Sequence, residues 1–288
     1  MTQPDVVAGF DGSECSLHAA RWAAAEAEQR GAGLLLVHAA PAVAHTNPAA
    51  LLSAAEGTLR SDHPDLPIGT LLAGATAVAS LLDIAAGALL TVVGSWGTGR
   101  APGTPLGSVA FSVASTSRTP VVVVRPQHGR SARRPVAVAV DGRTAPRAAL
   151  DFAFAAADIR NVRLLVVHVR HDAAIDGAFP YQVVRGPVLS AGVHMVPEPA
   201  GTQEDRAALV WRLLPWQRRY PGVHVTPSVL FGSPTATLLD FSRRSDLLVI
   251  GDAGRGVNSG MFLGATGQAL LQRSACPVVV ARSGGPGG

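Results

Sequence analysis

The sequence predicts an α/β protein of two tandem open parallel five-stranded sheets with helices on both faces, a Rossmann-like arrangement. Three observations carry this expectation. The 288 residues are about twice the usual single-domain length, and the two halves repeat one pattern. Within each half, short β-branched runs alternate with alanine-rich stretches of helical length, as βαβ units of a sheet buried on both faces require.

The repeat is read by offset. At 130 residues, VVAGFDGS (6–13) meets VAVAVDGR (136–143) and LLLVHAA (34–40) meets LLVVHVR (164–170), so Asp11 pairs with Asp141, Gly12 with Gly142 and His38 with His168. Later the offset is 157: TVVGSWG (91–97) meets LVIGDAG (248–254), and Pro120 of TPVVVVR meets Pro277 of CPVVVAR. The difference is a 27-residue insertion in the second copy.

Strands are expected in copy one near 5–10, 33–39, 67–73, 90–94 and 120–125. Helix one should run from about Ser16 to Arg30, closed by Gly31 just past its end. Its counterpart should begin at Pro146, whose missing N–H costs nothing in a first helical turn. The polar, glycine-containing PQHGRSARR (126–134) has no apolar face to bury and joins the copies. The expected domains are therefore 1–127 and 135–283, with a linker at 128–134. An insertion near 171–202 is expected to form a surface excursion, a hairpin or a lid, and 284–288 a disordered tail.

Composition narrows the function classes. Apolar residues make up 48% and charged residues 15%, which excludes intrinsic disorder. No lysine occurs, so all 24 basic residues are arginine. That excludes a Walker A loop, which needs lysine at the phosphates, and Schiff-base or pyridoxal chemistry, which needs its amine. The pI near 10.0 accompanies a net charge of only +4. No stripe of arginines alternates with aromatics as a strand-binding groove would require, so nucleic acid is disfavoured as a partner.

Leu71 to Gly94 is apolar enough to span a bilayer, but its counterpart, Leu230 to Gly251, carries Pro234, Arg243, Arg244 and Asp246. Strand end, buried helix and core strand is thus the favoured reading of both, and no membrane partner is expected. No secretory pattern opens the chain, and Cys15 and Cys276 form no CxxC pair; a reducing, cytoplasmic setting is expected.

Ligands of open parallel sheets bind at the carboxyl ends of strands. Asp11-Gly12 follow strand one, Gly94-Ser95-Trp96-Gly97 follow strand four, and after nine intervening residues Gly107-Ser108 precede a helical segment. Ser108 is expected to cap that helix, whose N–H groups and positive dipole end favour a phosphate. The plainer readings are a turn for Asp11-Gly12 and tight strand–helix packing for the glycines.

Gly94-x-x-Gly97, nine residues, then Gly107-Ser108, with VVAGFDGS before and SRTPVVVVR after, resembles the universal stress protein family in its ATP-binding branch. The resemblance covers nearly the whole chain, twice. It implies a five-stranded parallel sheet holding ATP, with or without Mg²⁺, across the strand ends. Asp11 would lie near the ribose and any metal, and Ala39 would offer a backbone contact to adenine. Gly94, Gly97, Gly107, Ser108 and Val109 would surround ribose and phosphates, with Arg100 in the intervening loop.

The corresponding positions in copy two are Asp141, Val169, Gly251, Gly254 and Gly264. There Ala265 replaces the hydroxyl residue and Asp252 brings a repelling carboxylate, which Arg143 and Arg255 could offset. The first site is therefore expected to bind more tightly, and the second to be weaker, altered or empty.

The functional expectation is an ATP-binding stress-response regulator or sensor with little or slow hydrolysis. Its rivals are a nucleotide-free structural scaffold and a metal-dependent hydrolase or transferase using Asp11. VVVVR (121–125) and VVVAR (278–282) would be exposed apolar edges unless paired. They are expected to pair within one chain as a pseudo-dimer, which associates again as a homodimer. His38 and His168 are read as buried hydrogen-bonding residues rather than catalysts, and the other seven histidines form no metal-ligand pattern. Trp96 is placed either on a ligand or over apolar surface.

Overall fold

The computed structural model describes residues 6–39, 47–99, 106–126, 133–141, 147–170, 202–251 and 263–282. Two compact units divide the chain: residues 1–131 with 252–288, and residues 132–251.

In the first unit the strands are β1 (Val6–Gly9), β2 (Leu34–Ala39), β3 (Ile68–Ala73), β4 (Leu90–Gly94), β5 (Val121–Val124) and β10 (Val278–Ala281). Their order is β3-β2-β1-β4-β5-β10, parallel as far as β5, with β10 antiparallel to it. The second unit contains β6 (Val136–Val140), β7 (Leu164–Arg170), β8 (Val225–Phe231) and β9 (Leu247–Gly251), all parallel in the order β9-β6-β7-β8. The expected α/β class, with a mostly parallel sheet and helices on both faces, holds, and the expected pairing of the last strand of each repeat extends the ladder. The ladder runs from β5 into β10, with Val123 opposite Val278 and Val121 opposite Val280, so 121–125 and 278–282 pair inside one chain.

Four helices follow strands of the first repeat: α1 (Glu14–Arg30), α2 (Pro48–Asp62), α3 (Ala77–Ala85) and α4 (Ser108–Thr116). The second repeat supplies α5 (Arg147–Arg160), α6 (Thr202–Arg219), α7 (Pro234–Arg244) and α8 (Ala265–Arg273). Helix α1 starts two residues earlier than the sequence suggests, because Ser13 accepts from the Ser16 amide, and it ends at Gly31 with φ 63°. Its inner face is a run of fully buried alanines, Ala19, Ala20, Ala23, Ala24 and Ala27. Small side chains at these positions let the helix lie close on β1 and β4. The stretch read as strand end, helix and strand is the end of β3, then α3 and β4, and no described helix is long and apolar enough to cross a membrane.

Two arginines exchange positions around the β5–β10 pair. Arg125, just past β5, donates to the carbonyls of Leu271 (3.0 Å) and Gln272 at the end of α8. Arg282, just past β10, donates to those of Ala114 (2.8 Å) and Ser115 (2.9 Å) near the end of α4. Each guanidinium satisfies carbonyls that a helix terminus leaves without an intrahelical donor.

Pro146, the linker except Arg133 and Arg134, the 171–202 insertion apart from Thr202, which begins α6, and the 284–288 tail lie outside the described residues.

Candidate functional site

The carboxyl ends of β1, β2 and β4 open onto a cavity of about 480 Å³, large enough for a small-molecule ligand. Its lining includes all seven first-repeat candidates: Asp11, Ala39, Gly94, Gly97, Gly107, Ser108 and Val109. Trp96 lines it as well, with the Arg125 guanidinium 5.5 Å from its ring centroid. Val37, Leu81 and Val93 supply an apolar wall. Leu81 comes from α3, which carried no motif and was missed in the sequence.

Asp11 is the one ionisable side chain among the described lining residues. Its Oδ1 accepts from the Ser13 amide at 3.0 Å, and its Oδ2 accepts from the Thr98 amide at 2.8 Å, 87 residues away in sequence. Its own amide donates to Ser16 Oγ at 3.3 Å. Burial works against the carboxylate, but hydrogen bonds from Ser13, Thr98 and Ser16 outweigh it and hold the pKa below the ordinary value.

A depressed folded-state pKa contributes stability that is present above the unfolded value, about 3.9, and is lost as pH falls through the folded value. Urea midpoints measured at pH 5, 4 and 3 should therefore fall more steeply for the wild type than for Asp11→Asn. Equal slopes would show that the network does not hold the charged form.

The three motif glycines have local reasons to lack a side chain. A Cβ on Gly94 would meet the backbone C and O of Cys15 at 3.0 Å, in the first turn of α1. On Gly107 it would meet Trp96 Cα at 3.3 Å, and on Gly97 it would overlap Asp11 Oδ2. The packing reading thus holds for Gly94, while Gly97 and Gly107 let the loop fold tightly beside Asp11. Gly12, at φ 84°, makes the turn after β1.

Ser108 is not the helix cap expected from sequence. Gly107 occupies the N-cap position with extended backbone, Ser108 is the first residue of α4, and no side chain caps the helix. The adjacent Gly-Ser pair allows either register, and the bond from the Gly107 amide to the Ser95 carbonyl at 2.7 Å selects this one. Helices α1, α2, α3 and α7 all have a side-chain cap, from Ser13, Asn47, Thr76 and Ser233. The first-turn residues of α4 instead line the cavity, where their amides and the positive end of the helix suit an anion.

Among the described residues no group of three or more His, Cys, Asp or Glu side chains could hold a metal ion. A magnesium ion at Asp11 would draw its remaining ligands from phosphate oxygens and water, as this hard cation commonly does.

In the second repeat, Asp141 follows β6, Val169 lies in β7, Gly251 ends β9, and Gly264 is the N-cap of α8 without a side-chain cap. Gly254 lies outside the described residues, as do Arg100, Arg143, Asp252 and Arg255. His38 and His168 are both hydrogen-bonded through Nδ1, to the carbonyls of Phe10 (2.8 Å) and Val140 (3.1 Å). Cys15 and Cys276 are buried free thiols.

Comparison with known proteins agrees with this architecture. A universal stress protein of Mycobacterium tuberculosis strain H37Rv is 33% identical over 301 residues, spanning 96% of each chain. One from Mycolicibacterium smegmatis is 31% identical over 98% of each. The crystal structure of a universal stress protein from Archaeoglobus fulgidus shares the fold with TM-score 0.65 at 16% identity, covering 98% of this chain and 99% of that one. The model of the universal stress protein family matches residues 4–125 and again 132–282, and the chain therefore belongs to that family, as a tandem of two such segments.

Proposed function

We propose that the first-repeat cavity binds ATP and that the protein acts as a nucleotide-dependent regulator or sensor. The observation that carries this reading is the uncapped amino end of α4, facing a cavity that has an apolar wall on one side and Asp11 on another. The adenine would lie near Ala39 against Val37 and Leu81, and the ribose near Asp11. The phosphates would meet the amides of Ser108, Val109 and Ala110, with Mg²⁺ as an added counter-ion. Successive amides at a helix start can bind a polyanion without lysine.

No general base or arginine finger is identified among the described residues at the cavity, so turnover is expected to be slow, well below the roughly 1 s⁻¹ that is ordinary for enzymes. The second site, with Asp141, Val169, Gly251, Gly254 and Gly264, is proposed to be weaker, altered or empty. Domain limits of 1–127 and 135–283, a cytoplasmic location and homodimer formation complete the reading.

Mass spectrometry of small molecules released on denaturing the purified protein is expected to find an adenine nucleotide. Calorimetry would then rank the sites. Gly107→Val should abolish the tighter binding event and Gly264→Val should leave it within about threefold, a change under 1 kcal/mol. Binding lost only in Gly264→Val would overturn the ranking, and no binding by the wild type would overturn the function.

A further inference from the structure

The two strand-end histidines do different work. In parallel pairing, the Phe10 amide donates to the Val37 carbonyl at 2.8 Å, and the next rung would run from the Ala39 amide to the Phe10 carbonyl. The β1–β2 register stops short of that rung, at Gly9 opposite Val37. The Phe10 carbonyl accepts instead from His38 Nδ1 at 2.8 Å, in a ring only 8% exposed. In the second repeat the β6–β7 register continues one step further, to Val140 opposite His168, and the ring bond is longer, 3.1 Å. One repeat is open at this rung and the other is zipped.

We propose that His38 is a positioning residue that keeps the β1–β2 cleft open. Its imidazole takes the place of the Ala39 amide on the Phe10 carbonyl. That satisfies a buried acceptor, keeps the Ala39 amide out of the ladder and fixes the peptide group leading into Asp11. Because a carbonyl only accepts, Nδ1 must carry the proton, and a neutral ring then has a bare Nε2. A leucine would remove the donor and let the rung close. An asparagine would present an amide N–H from nearly the same place. The role also gives a geometric reason for the two sites to differ, since His168 stands beside a rung already made.

The affinity measurement rests on the nucleotide reading above, whereas amide exchange does not. His38→Leu is expected to weaken ATP binding about tenfold or more, and His38→Asn to stay within about threefold of wild type. His168→Leu should not change the tighter event. In the protein without nucleotide, hydrogen exchange at the Ala39 amide should slow in His38→Leu and stay fast in His38→Asn. A leucine variant that binds like wild type, an asparagine variant no better than leucine at equal Tm, or unchanged Ala39 exchange would overturn the proposal. Should the leucine variant fail to fold, nitrogen NMR of the wild type decides: an Nδ1–H tautomer supports the role and an Nε2–H tautomer removes it. A wild type that binds no ATP defeats the proposed function, and the exchange result then judges His38 alone.

Discussion

Replacing Gly97 with alanine is expected to cost about 1–2 kcal/mol of stability and most of the nucleotide affinity, but to cost little more stability in a protein that already lacks the Asp11 side chain. The new methyl group would overlap Asp11 Oδ2, an oxygen already held by the Thr98 amide. Either the carboxylate or the loop must move, and the hydrogen bond to a charged acceptor is lost. The magnitude lies at the lower end for such bonds because the Thr98–Asp11 bond is exposed. In a double-mutant cycle on urea stability, Gly97→Ala and Asp11→Gly should therefore show a coupling of about 1 kcal/mol. Additive effects would mean that Gly97 is free of Asp11 and is reserved for the ligand alone. Affinity is a separate measurement: the double variant should remain a poor ATP binder, because Asp11 is gone.

The second large effect concerns the strand pair that closes the first compact unit. The carbonyls of Pro120 and Val124 face β4, accepting from Thr91 and Ser95, so Val123 turns its own amide towards β10, where it stands opposite Val278. Val123 is 1% exposed. Val123→Pro deletes that donor and forces a ring between two buried strands. It should cost about 3–5 kcal/mol and lower Tm by about 10 °C or more.

Leu72→Pro is the matched control. It lies on the exposed edge strand β3 at 47% exposure, where the rungs to β2 come from its odd-numbered neighbours, and about 1 kcal/mol or less is expected. A control as damaging as Val123→Pro would show that the loss reflects proline in a strand rather than the β5–β10 pairing.

Much of this architecture was legible because the signals were local. Gly31 ends α1 as a left-handed cap, and the β-branched runs form strands within a residue or so of their expected limits. Asp11, Gly94, Gly97, Gly107 and Ser108 could be gathered from sequence because strand ends converge in an open parallel sheet, whereas Ala39 and Val109 came from the family resemblance. The departures came from interactions with no local signature. The Thr98 amide reaches Asp11 across 87 residues, and the Leu81 wall depends on how α3 lies over β1 and β4. The cap of α4 was misassigned to Ser108 because either of two adjacent residues fits the pattern, and only the Ser95 carbonyl distinguishes them. The β5–β10 pairing was foreseen from unprotected apolar edges, but its antiparallel continuation of one ladder was not.

The crossed arginines bear on how such a duplicated chain can be divided. A fragment ending after Arg125 would retain every described residue that lines the cavity, yet the tail of α4 would lose the guanidinium that Arg282 brings from the far end of the polypeptide. Helix α8 would in turn be left without Arg125. Gene fission would thus strip a terminus in each product, so the duplication is held together by mutual dependence as well as by a peptide link.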